Sequence, residues 1–154
     1  MSQSTEKNIG AYVKLAVAGI VTNITAASTG DNTQVNGSAI DRIALGRPLS
    51  ASLGIAVQAT LANTFTLSLV NVVVQHTDNV SNAWANYAAF TNVVALTGIT
   101  AGTAQQTVAK FDVDLTGAKQ FVRGQFTPLC SRTGTDVANT FPVMVLAGMS
   151  ELPA

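Results

Sequence analysis

The stretch Phe65–Gln75, FTLSLVNVVVQ, decides the fold class. Phe65, Leu67 and Leu69 are apolar with Thr66 and Ser68 between them, the period-two pattern of a half-buried β-strand. The alternation slips at Val70–Asn71 and resumes with Val72 and Val74, so a β-bulge is expected there. Just upstream, Leu53, Ile55, Val57, Ala59 and Leu61 point one way, and Gly54, Ala56, Gln58 and Thr60 the other. Ala62–Asn63–Thr64 is then expected to join the two strands as a hairpin.

The pattern repeats downstream. Phe111, Val113 and Leu115 alternate with Lys110, Asp112 and Asp114, and Thr116–Gly117–Ala118 makes a turn. Phe121, Arg123 and Gln125 alternate with Val122, Gly124 and Phe126 until Pro128, which cannot donate to a ladder. After a polar loop at Ser131–Asn139, Phe141, Val143 and Val145 face opposite to Met144 and Leu146. Weaker strands fit Tyr12–Val21, Ile40–Leu45 and Thr91–Leu96. About eight short strands separated by turns read as an all-β, antiparallel β-sandwich or barrel. Phe111, Val113, Leu115, Phe121, Val143 and Val145 are the expected core positions.

Two segments depart from the alternation. Asp78–Phe90 (DNVSNAWANYAAF) carries the only Trp, helix-compatible alanines and aromatics at Trp84, Tyr87 and Phe90. With Asp78 or Ser81 as a cap, it predicts one short helical segment. Met1–Gly10 is polar and aperiodic, which predicts a flexible N-terminal arm at 1–10 ahead of a single domain at 11–154. The arm is expected to order only against a neighbour, with Tyr12 and Val13 anchoring its base.

Charged residues are 10% of the 154, and eight basic residues cancel eight acidic ones. No surplus of Lys and Arg exists to displace phosphate counterions, so nucleic acid is not an expected partner. No run approaches the ~20 apolar residues of a membrane span. Leu15–Val21 is too short for a signal-peptide core, and the reading expects synthesis in the cytoplasm. Instead of charges the chain has 10 Ser, 19 Thr, 11 Asn and 8 Gln, a surface poorly protected against self-association. With one cysteine, Cys130, no internal disulfide can form, and stability must come from packing or oligomerisation.

Chemistry-bearing patterns are absent. His76, the only histidine, has Asp78 nearby but no nucleophile motif, and reads as a strand-end residue. Asp112 and Asp114 share a strand face about 6–7 Å apart. Lys110 lies on that same face, which reads as solvated rather than as a glycosidase or calcium pair. The loops Thr29–Asn32 and Asn36–Ser38 match no phosphate-binding loop. No catalytic, cofactor-binding or metal-ligating residue is expected, and the chain reads as a non-enzyme. Trp84, Tyr87 and Phe90 read as a core plug or as interface anchors, with Tyr12 as a further interface candidate.

The run Phe111–Arg123 (FDVDLTGAKQFVR), followed by Thr127–Pro128, a Gly/Thr loop and Pro142–Gly148 (PVMVLAG), resembles decoration or cement proteins of tailed-bacteriophage heads. The resemblance covers roughly Ala51–Ala154 and is densest from Phe111 onward. It implies a jelly-roll-like fold and a homo-oligomer, with a trimer favoured over a dimer by the three-fold positions of an icosahedral lattice. It also implies a location on the outer capsid surface of a virion and the major capsid protein as partner. Two other roles stay open: a tail-tube or tail-terminator subunit, whose ring would need the Leu53–Gln75 strand pair, and a host-attachment module presenting Trp84 and Tyr87.

Overall fold

A computed structural model describes residues 12–99, 103–131 and 134–149. The described chain begins with β1 (Val13–Val17) and β2 (Thr22–Thr25), then two short strands, β3 (Val35–Asn36) and β4 (Ile40–Asp41). The long β5 (Pro48–Thr60) and β6 (Thr66–Thr77) follow, then β7 (Ala85–Ala89) and β8 (Val93–Thr97). Three more complete the set: β9 (Ala104–Asp114), β10 (Phe121–Cys130) and β11 (Val137–Met149). The expected arm at 1–10 lies outside the described residues.

These strands make two antiparallel sheets. The first runs β1-β11-β5-β9, with β2 also pairing β11; the second runs β3-β10-β6-β7, with β4 pairing β10 and β8 pairing β6. Between them lies the core. Leu53, Ile55 and Val57 of β5 meet Leu67, Leu69, Val72 and Val74 of β6, with Phe126 of β10 and Met144 and Leu146 of β11, all buried. The packing is tight between β10 and β5. A Cβ on Gly124 would stand 2.8 Å from Leu53 Cδ1, so any larger residue there must displace the Leu53 side chain.

The bulge falls where the alternation slips. Gln125 pairs with Val73 and Thr127 with Val70, so Phe126 faces two residues, Asn71 and Val72. Asn71 takes the extra position at φ +51°, a conformation Asn tolerates better than most residues. Its N–H donates to Asn92 Oδ1 at 3.1 Å. One added residue restores the phase, and Leu69 and Val72 both face inward.

Three expectations need correction. First, β5 and β6 are not a hairpin: they lie in different sheets, and Leu61–Phe65 arches across the core between them. Alternation cannot tell a strand's neighbour in the ladder from its partner across the sandwich, because both bury the same face.

Second, Asp78–Phe90 contains no helix. An Asx turn, with the Ser81 N–H donating to Asn79 Oδ1, leads into β7, which pairs with β6. A bulge in that pairing, at Val74/Gln75, turns both Tyr87 and Ala88 toward the core. The aromatic spacing arises from this bulge rather than from a helical face.

Third, Phe111, Val113 and Leu115 are buried as expected, but Phe121, Val143 and Val145 are half-buried on outer faces. On β10 the inward residues are Val122, Gly124 and Phe126; on β11 they are Ala138, Thr140, Pro142, Met144 and Leu146. Both faces of β11 are apolar, so its alternation could not say which one is inside.

Candidate interaction faces

The two outer faces of the sandwich differ in chemistry. On the second sheet a group of polar side chains around Arg123 is bonded together, while Leu129 and Val94 stand exposed in one row with Ser68. Arg123 Nε donates to Gln75 Oε1 at 2.9 Å, and Gln75 Nε2 donates to Asn86 Oδ1 at 2.9 Å. Gln125 and Gln34 both donate to Asn36 Oδ1. The Arg123 guanidinium lies 4.4 Å from the centre of the Trp84 ring, and its partial burial lowers its pKa.

The first sheet turns an apolar face outward. The ladders place Leu15, Val145, Ser52 and Asp112 in one row across it, and Val17, Val143, Gly54 and Lys110 in the next. Phe141, Ala56 and Val108 form a third row. Leu15 is 77% exposed, Val17 63% and Val108 62%. The outward positions of β5 are small, Ser50, Ser52, Gly54 and Ala56, so a shallow trough runs along it. Two open depressions of about 600 and 460 Å³ lie in that trough, the larger beside Ala56, Val108 and Phe141, the smaller beside Ser52 and Val145.

The four residues singled out as interface candidates do not form one patch. Tyr12 is exposed just before β1. Trp84 is half-buried on the second sheet's outer side. Tyr87 packs on the core, its ring 4.9 Å from that of His76 and its hydroxyl accepting the Gly117 N–H at 3.2 Å. Phe90 also packs on the core, 5.2 Å from the Phe111 ring.

The groups weighed for chemistry have structural partners. Lys119 N–H donates to His76 Nδ1 at 3.3 Å. Desolvation first, then the neighbouring Lys119 charge, pushes the His76 pKa down, against a smaller opposing pull from Asp78. Asp112 pairs with Lys110 at 3.0 Å, which with the Ser52 hydroxyl holds its carboxyl below the usual range. Asp114 accepts from the Thr116 hydroxyl and N–H, with the same effect. Burial, followed by the nearby Asp31 and Asp136, pushes the Cys130 thiol up to about 11, so it is protonated at neutral pH. Among the described residues no group of three or more His, Cys, Asp or Glu is placed to hold a metal ion. No helix among them is long and apolar enough to cross a membrane.

The apolar face of the first sheet was missed by sequence reasoning. Its signal was available in β1 and β11, where Leu15, Val17, Val143 and Val145 are apolar at positions that a one-sided sheet would fill with polar residues.

No family model and no curated protein matches the chain. Solved structures do. The chain is similar to the VP2 subviral particle of infectious bursal disease virus, with a TM-score of 0.55 at 12% identity over 92% of this chain and 33% of that one. The T13 IBDV viral particle gives a TM-score of 0.51 at 12% identity, over 92% and 32%. The PBSX exported protein XepA aligns over 89% and 40% at 20% identity, with a TM-score of 0.38, too low to argue a shared fold. The chain thus spans about a third of the length of the viral chains it matches. What this likeness shows is a common fold: the chain is an antiparallel β-sandwich of the kind found within a particle-forming viral protein.

Proposed function

We propose that the chain is a structural, non-catalytic protein of a virus particle, and specifically a decoration or cement protein on the outer surface of a tailed-phage head. The observation that carries this reading is the fold it shares with a VP2 subviral particle. The strand orders β1-β11-β5-β9 and β3-β10-β6-β7, with long strands passing alternately between sheets, support a jelly roll. In this reading 11–154 is one domain, 1–10 is an arm that orders against a neighbour, and the partners are the major capsid protein and further copies of the chain. On the shell a trimer comes before a dimer, because three-fold lattice positions offer it a ready seat. Many weak contacts from a neutral surface add up on a lattice through multivalency.

The two other roles have less support. A tail ring built on a β5–β6 pair has no such pair to use, since those strands lie in opposite sheets. A host-attachment site made of Trp84 and Tyr87 would need both rings outward, whereas Tyr87 packs on the core. The reading is tested by adding purified chain to undecorated head shells. Saturable binding at a fixed ratio to the shell protein, and greater resistance of the shells to heat, are expected; no binding at any concentration overturns it.

A further inference from the structure

The proposed function does not use the chemistry of the outer face of the first sheet. That face is apolar along β1 and β11, while charges are confined to β9, where Lys110 already pairs with Asp112. The part that β1, β11 and β5 make up measures about 14 Å by 30 Å, on the order of 400 Å² before side-chain relief. A stable interface covers roughly 800 Å² per partner, so a contact here is weak and concentration-dependent.

The relief of the face is self-complementary. β1 forms a ridge, with Leu15 and Val17 standing out, and β5 forms a trough floored by Ser52 and Gly54. Ridge and trough lie one strand spacing, about 4.8 Å, on either side of β11. A two-fold axis running along β11, midway between two facing copies, exchanges these positions. It sets Leu15 of each copy over Ser52 of the other, and Val17 over Gly54, because each pair already shares a row. Sheets that pack face to face within about 30° of alignment and roughly 10 Å apart have this geometry. The occupant is therefore a second copy rather than an unrelated partner: the spacing that fits ridge to trough is fixed by this chain's own ladder. A formal net charge of zero leaves no long-range repulsion between copies.

We infer that two copies of this chain associate isologously through the outer face of the β1-β11-β5-β9 sheet, β1 of each seated in the β5 trough of the other. The inference rests on the self-association in the reading above and names its surface. A two-fold contact here leaves the second sheet available for other contacts, three-fold ones included.

Light scattering over a dilution series of the full chain should show a species of twice 15.8 kDa that falls toward 15.8 kDa on dilution. Val17→Lys and Leu15→Lys, both at exposed positions, should raise the dissociation midpoint at least tenfold with circular dichroism and melting unchanged. Geometry is tested with a short bis-maleimide linker. Val143→Cys lies on the axis and meets its own copy, so it should cross-link. Val108→Cys lies on β9, beyond the edge of the facing sheet, and should not. A wild-type chain that stays at 15.8 kDa throughout overturns the inference, as do equal cross-linking at both positions or a Val17→Lys dimer of unchanged strength. A monomer whose Val17→Lys variant loses shell binding assigns the face to the capsid protein and spares the proposed function. A dimer that ignores shells does the reverse.

Discussion

The Arg42 guanidinium is buried and donates to the Leu115 carbonyl oxygen at 2.7 Å, with no carboxylate partner among the described residues. The same group donates to the carbonyls of Pro48, Ala118 and Lys119. One side chain thus ties the loop before β5 to the arch between β9 and β10. Burial lowers its pKa, and hydrogen bonds to backbone oxygens take the place of a counter-ion. Arg42→Met fills the space but leaves four carbonyls without this donor. It should cost about 3 kcal/mol or more in denaturant unfolding; a loss under about 0.5 kcal/mol would show that the arch holds without it.

Phe111 packs its ring against that of Phe90. Phe111→Ala removes a buried aromatic and should destabilise the fold by about 3–5 kcal/mol. The equivalent change at Phe121, half-buried on the outer side of β10, should cost clearly less. Equal losses in thermal melting would mean that the two faces of these strands are assigned wrongly.

Gly124 of β10 faces the Leu53 side chain of β5 across the core. A methyl group there must displace Leu53, whose Cδ1 and Cδ2 would lie 2.8 and 2.9 Å away. Gly124→Ala should therefore destabilise by about 1–3 kcal/mol, even though alanine suits a strand better than glycine. A stabilised variant would show that the sheets stand further apart.

Stability should depend on His76 near neutrality. Its folded pKa is below the ordinary 6.5, so the unfolded chain binds more protons as pH falls. Its contribution is thus fully present above about 6.5 and is lost as pH falls from there toward the folded pKa. Protonation at Nδ1 would also remove the acceptor for the Lys119 N–H. Asp112 and Asp114, depressed below 3.8, keep their charge until far more acid pH and leave this window to His76. The melting temperature should fall between pH 7.5 and 5 in the wild type and flatten in His76→Gln; identical slopes would contradict the assignment.

What could be read from the sequence was the local conformation of the long strands, together with the bulge at Asn71. A period of two and the place where it slips depend only on the side chains of one segment. Which strands share a sheet was not legible. Leu53–Leu61 and Leu67–Val74 bury the same face whether they lie side by side or across a core, and only the ladders β5–β11 and β6–β10 decide it. The inner face of β11 was hidden for a related reason. Val143 and Val145 are as apolar as Met144 and Leu146, and that ambiguity marked an outer face with apolar surface to cover. Trp84 and Tyr87 fall on opposite sides by simple alternation, and the β7 bulge, which has no signature in the sequence, brings Tyr87 and Phe90 to the core side together.

The central claim, a structural place on the outside of a phage head, is tested most directly by electron cryo-microscopy of the source particle with this chain traced into the map. Ordered density for the β-sandwich is expected on the outer surface of the head shell, repeated on the lattice. Density for the chain inside the tail or at a fibre tip, or none in the particle, would contradict it.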